Sequence, residues 1–280
     1  MNALEIRGLR KERKGFTLEG LDLTLPGGCI MGLIGENGAG KSTTIRLLLE
    51  MIRKDSGEVA FFGTPQREYL ARHTHELGIV LDEVGISGCL KAAQVERIMA
   101  AAYPNWDSAE FAKLVRKLDI PTDKVFSKLS RGNQMKLGLA VALSHHAKLL
   151  ILDEATNGLD PVVREDVVEL IRDFVTDEEH AVLISSHIVS DLEKICDYIA
   201  FLHRGQLLLC EEKDRLYEDY TLIRVSAEEL QKLDGSAVLG SRVTPYGAEA
   251  IVRADALRTD METFKVDIEQ LFITMVKEER

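Results

Sequence analysis

Gly35-Glu36-Asn37-Gly38-Ala39-Gly40-Lys41-Ser42 is the stretch on which the fold turns. Its spacing is G-x-x-x-x-G-K-[ST], and it has the context that spacing needs. A short apolar run at residues 29–34 precedes it and a helical pattern over residues 41–52 follows. Glycines let the backbone curl so that successive N–H groups point inward at phosphate oxygens. A helix opening at Lys41 adds its positive N-terminal end. Lys41 is then placed to reach the β and γ phosphates of a bound triphosphate, and the Ser42 hydroxyl to ligate Mg²⁺. The expected phosphate-binding set is Gly35, Glu36, Asn37, Gly38, Ala39, Gly40, Lys41, Ser42 and Thr43.

A second segment supports the first. Leu149-Leu150-Ile151-Leu152-Asp153-Glu154 reads as an apolar strand ending in two acids. Asp153 at the strand end can hold a Mg²⁺-bound water beside the phosphate loop, and Glu154 is placed to polarise an attacking water. Alone, two acids after a strand are as well explained by helix capping; together with the loop they define a site.

On either side of these motifs, strand-like and helix-like segments alternate through the first three quarters of the chain. Residues 77–81, 149–152 and 182–185 are short apolar runs, and residues 162–175 and 190–198 read as helices between them. That alternation predicts a mostly parallel sheet with helices on its faces. Residues 92–102 and 108–118 are helical, broken at 103–107, and mark an all-helical insertion. From residue 211 the chain reads as a small α+β tail. It has strand-like segments at 223–225 and 250–252 and a helix over 266–276. Its apolar stripe, Ile268, Leu271, Phe272 and Met275, needs a partner surface, most simply the tail's own core.

Composition narrows the function. The 280 residues are 45% hydrophobic and 29% charged, ordinary for a globular chain, and the formal charge is −11. An acidic chain of pI ≈ 5.2 lacks the electrostatic footprint of a nucleic-acid binder. The basic cluster Arg7, Arg10, Lys11, Arg13 and Lys14 reads as a solvated face. No apolar run approaches the roughly 18–20 residues that span a bilayer, and residues 1–7 carry no signal-peptide pattern. Cys29, Cys89, Cys196 and Cys210 are widely spaced, which fits reduced, buried thiols in the cytoplasm.

Leu129-Ser130-Arg131-Gly132-Asn133-Gln134, before a helix over residues 135–143, resembles the signature motif of ATP-binding cassette (ABC) ATPases, usually written LSGGQ. Asn157-Gly158-Leu159-Asp160 resembles the family's D-loop, and His187 after Ser185-Ser186 resembles its switch histidine. The ordered matches cover residues 3–210. The resemblance implies an α/β P-loop NTPase with a mostly parallel sheet, a helical lobe inserted at residues 85–145 and a small α+β tail over 211–280. It implies an ATP-hydrolysing subunit of an ABC transporter. Such a subunit drives export of an unknown substrate through a separate membrane permease and sits on the inner face of the cell membrane. The implied cofactors are ATP and Mg²⁺, and the implied partners are the permease and a second cassette, identical or different. A soluble ABC clamp outside transport is the alternative.

The resemblance also assigns roles. Ser130, Arg131, Gly132 and Asn133 would face the γ-phosphate bound by the opposite subunit. Asp160 belongs to the D-loop, and Glu154 and His187 are the catalytic pair. Departures are specific: Arg131 stands where glycine is usual and Asn133 where glutamine is usual. Asp82 stands at the Q-loop position, as a further metal ligand or a solvated acid at a strand end. The aromatic that stacks on adenine is missing from its expected place, leaving Phe16 or the Arg13 guanidinium. Trp106 either lines the groove that takes the permease or anchors the lobe's own core.

Overall fold

The structure is a computed structural model that describes residues 1–235, 237–244, 247–257 and 261–278. The chain opens with an antiparallel hairpin, β1 (Asn2–Arg13) and β2 (Phe16–Pro26). Next come the buried strand β3 (Ile30–Ile34) and helix α1 (Lys41–Leu48). Strands β4 (Ser56–Phe61) and β5 (Thr64–Pro65) return to the hairpin, giving a sheet of order β2-β1-β4-β5. This antiparallel sheet is absent from the expectation above. The period-2 pattern Leu21-Asp22-Leu23-Thr24-Leu25 carries its signal, because Leu21, Leu23 and Leu25 are buried and Asp22 and Thr24 are not.

Helix α2 (Gln66–His73) leads to β6 (Leu77–Val80). The expected helical lobe follows as α3 (Ala92–Ala102), α4 (Ser108–Lys117) and α5 (Arg131–Leu143). The chain then alternates β7 (Leu149–Asp153), α6 (Pro161–Phe174), β8 (Ala181–Ser186), α7 (Val189–Ile195), β9 (Tyr198–His203) and β10 (Gln206–Glu212). The central sheet has the order β10-β9-β3-β8-β7-β6, parallel throughout except for β10 on β9. Strands β3 and β7 in its interior are apolar without alternation, up to the Asp153 that ends β7, because both faces are covered. Leu149 and Ile151 join the core shared with the N-terminal sheet, whereas Leu150 and Leu152 join the core on the opposite face.

Several helix ends differ from the expectation, by three or four residues in α1, α5 and α7. α1 stops at Leu48 rather than residue 52, and Glu50 just beyond it takes a left-handed φ of 51°. α7 stops at Ile195, where Cys196 turns extended. α5 starts at Arg131, four residues before the apolar pattern, because the Ser130 hydroxyl accepts the Asn133 N–H at 3.3 Å and caps it.

The tail contains α8 (Lys213–Asp219), β11 (Tyr220–Val225), α9 (Ala227–Leu230), β12 (Val238–Thr244), β13 (Gly247–Arg253), β14 (Thr263–Lys265) and α10 (Ile268–Glu278). Its strands form one sheet of order β12-β13-β11-β14. The apolar stripe of α10 does not confine itself to the tail. Leu271, Phe272 and Val276 join the same core as Leu192, Ile199 and Phe201, and the Phe201 and Phe272 rings lie 5.1 Å apart. The tail's own core, around Ile223, Ala250 and Val252, is too small to take up a whole helix face.

Candidate functional site

Strand register builds the site. Ile34 pairs with Ser186 and Asp153 with Ser185, so the carboxyl ends of β3, β7 and β8 stop side by side. Gly35, Glu154 and His187, the next residues or nearly so, emerge together at that edge, where open α/β sheets bind ligands. Gly35 must be glycine, since a Cβ there would collide with the Leu202 carbonyl. Gly40 takes φ 117° at the N-cap of α1, and a Cβ on it would sit 2.9 Å from Phe16 Cζ.

Lys41 is buried, and its ammonium donates to the Gly35 and Glu36 carbonyls at 2.7 and 3.3 Å. The same ammonium lies 3.0 Å from Glu154 Oε1. On the other side of that carboxylate, His187 Nδ1 lies 2.7 Å from Oε2. Burial pushes the Glu154 carboxyl up. The Lys41 charge and the hydrogen bonds from His187 and Lys41 outweigh it, so the group stays below its ordinary value and ionised. Glu154 also holds a left-handed φ of 53°, a conformation worth about 1–3 kcal/mol of strain in a non-glycine residue. Its N–H is pinned by the Ser185 carbonyl and hydroxyl, each at 3.1 Å.

Ser42 donates to Asp153 Oδ1 at 3.2 Å, and Ser185 donates to the same oxygen at 2.6 Å. A hydroxyl and a carboxylate oxygen side by side, next to the phosphate loop, suit Mg²⁺, which takes few protein oxygens and completes its shell with phosphate and water. The described residues hold no cluster of three or more His, Cys, Asp or Glu of the kind that cages a metal alone. Ser185 is a positioning residue that sequence reasoning missed. Its signal was a pair of serines closing an otherwise apolar strand just before His187.

The cleft around these groups has a volume of about 520 Å³ and is lined by Asn37, Gly38, Lys41, Ser42, Thr43 and Asn157, among others. Arg13 and Phe16 both reach it from the β1–β2 turn, as does Lys14. The remaining basic residues of that strand are spent locally: Arg7 on Glu5, Arg10 on Glu12 and Lys11 on Asp55. Ala39 is buried beneath the loop, and the Glu36 carboxylate points outward, 3.6 Å from the buried His203. Asp82 lines the cleft, but its carboxylate is engaged by Arg131.

Ser130, Gly132 and Asn133 lie at the start of α5 and do not line this cleft. Gly132 faces α6, where a Cβ would meet Val163 Cγ1 at 3.2 Å. Asp160 caps α6, accepting the Val162 and Val163 N–H groups at 3.1 Å each. Trp106 packs on Phe111, ring centroids 5.3 Å apart, within the lobe's core.

The comparisons with known proteins point the same way. Residues 18–157 match the family model described as ABC transporter. The ABC transporter ATP-binding protein YtrB of Bacillus subtilis (strain 168) is 31% identical over 224 residues, 80% of this chain and 76% of that protein. The lantibiotic transport ATP-binding protein SrtF of Streptococcus pyogenes is 33% identical over 214 residues, 75% of this chain and 91% of that protein. A solved ATP-binding subunit of an ABC transporter shares the fold, with a TM-score of 0.67 at 24% identity over 76% of this chain and 91% of that one. Among the described residues no helix is long and apolar enough to cross a membrane. The chain belongs to the ABC transporter family and is an ATP-binding, ATP-hydrolysing subunit of that family.

Proposed function

We propose that this chain is the motor of an exporter whose passage lies in a separate membrane permease, and that it works on the membrane's inner face as one of two cassettes. The observation that carries the reading is the Lys41–Glu154–His187 chain of contacts at the phosphate loop. A buried ammonium and an ionised carboxylate in contact beside the glycine-rich loop support a cation for the triphosphate and a base for water at one point.

Lys41 in this arrangement neutralises Glu154. An arriving triphosphate offers Lys41 more negative charge, so the ammonium turns to the phosphates and the Glu154 carboxylate is released. Glu154 then accepts the proton of the attacking water, while His187 fixes the carboxylate's orientation through Oε2. Ser42 and Asp153 would hold Mg²⁺, which when bound offsets the charge on the phosphate oxygens. Phe16 or Arg13 stacks on the adenine at the mouth of the cleft. Ser130 and Gly132 do not line their own cleft and would meet the triphosphate of the second cassette through the α5 N-terminus. Asp160 and its loop stand beside them at that seam. Closure moves the helical lobes and so the permease, and loss of the γ-phosphate contacts lets the pair reopen.

Glu154→Gln tests this. The variant should hydrolyse ATP at least about 100-fold more slowly and collect as an ATP-dependent dimer in sedimentation velocity. Hydrolysis at the parent rate would remove Glu154 as the base.

A further inference from the structure

Two departures from the family pattern meet in space. Asp82 follows β6 and Arg131 opens α5, 49 positions further along, and Arg131 Nη2 makes an ion pair with Asp82 Oδ1. The two side chains are 49% and 51% exposed, so this is a surface contact that exchanges readily. The Arg131 side chain lies along the D-loop: a Cβ built on Gly158 would sit 3.6 Å from its Cδ and Nε. Asp82 lines the cleft with Lys41, Ser42 and Glu154. Arg131 is therefore tied to its own chain's cleft through Asp82. Its neighbour Ser130 caps α5 and does not line that cleft.

A guanidinium fits a carboxylate or a phosphate with the same fork of donors, and binds the more highly charged anion more strongly. We propose that Asp82 and Arg131 form a latch in cis. In the single chain Arg131 is held on Asp82. When the α5 N-terminus meets the triphosphate carried by a second copy, Arg131 exchanges the carboxylate for phosphate. Asp82 is then a brake on pairing of the cassettes, and Arg131 is a residue that positions the second copy's triphosphate. This inference rests on the two-cassette reading given above. Because both side chains are half exposed, replacing either leaves the fold's core untouched.

The test is a double-mutant cycle on ATP-dependent dimerisation in the Glu154→Gln background, read as a dimer dissociation constant by sedimentation. Asp82→Asn should tighten the dimer about two- to fivefold, the size an exposed ion pair supplies. Arg131→Ala should weaken it about tenfold or more. In the Arg131→Ala background, Asp82→Asn should then change nothing. An Asp82→Asn effect of the same size in both backgrounds, or a weakening by Asp82→Asn alone, would overturn the latch and leave the two-cassette reading standing. If Glu154→Gln itself stays monomeric with ATP, the two-cassette reading fails and the latch fails with it.

Discussion

Lys41 lies 3.0 Å from Glu154 Oε1, and a triphosphate would compete with that carboxylate for the same ammonium. Two measurements follow at this scale. Lys41→Ala should cost most of the nucleotide affinity, at least about tenfold by calorimetry, because a charge-assisted contact to phosphate is lost. Unchanged binding would refute the phosphate assignment. The pairing also links stability to pH. The Glu154 carboxyl sits below its ordinary value in the folded chain, so its contribution is complete above the ordinary carboxylate pKa of about 4.3. It disappears as pH falls through the lowered value. The gap in unfolding free energy between the parent and Glu154→Gln, from urea titrations without nucleotide, should therefore narrow between about pH 7 and about pH 3. A gap that widens with acid would mean that burial, not Lys41, governs the group.

At the scale of elements, the helical lobe has its own core, and its caps and packing are distinct from the cleft. Asp107 caps α4 by accepting the Ala109 and Glu110 N–H groups at 2.8 and 2.9 Å, and Phe111 beneath it is 4% exposed against Trp106. Phe111→Ala should destabilise the lobe by about 3–5 kcal/mol. Nucleotide affinity should stay within about twofold, because none of the cleft's lining comes from α3 or α4. Calorimetry beside urea unfolding checks both halves, and a large loss of ATP affinity would show that lobe and cleft are one cooperative unit. α3 and α4 were legible in sequence nearly to the residue. Their apolar positions recur at helical spacing and the break between them contains Pro104, so local signals agreed with the tertiary outcome. The N-terminal sheet was less legible. Its alternation is interrupted by register shifts in the β1–β2 pairing, which spoil a simple period of two.

Across the whole molecule, the central sheet carries two cores and the tail closes one of them. α10 lays Phe272 on Phe201 and Leu271 against the α7 side of the sheet, so the tail helix completes the ATPase core rather than a body of its own. Phe272→Ala should cost about 3–5 kcal/mol and speed proteolytic cleavage within the tail. If global stability is unchanged and only the tail is cut faster, the tail is an independent unit.

The sequence alone carries the expectation of a phosphate loop, of acids after β7, of a signature turn, of a D-loop and of His187, since each is a contiguous motif whose chemistry needs fixed residue types at fixed spacing. It also determined the alternation that makes a parallel sheet. Tertiary packing, by contrast, is what sets Ser185 on both Asp153 and Glu154, Lys41 on Glu154, Arg131 on Asp82 and α10 on Phe201. Those contacts join residues far apart in the chain, and no local pattern encodes which strand ends will stand side by side until sheet register brings them there.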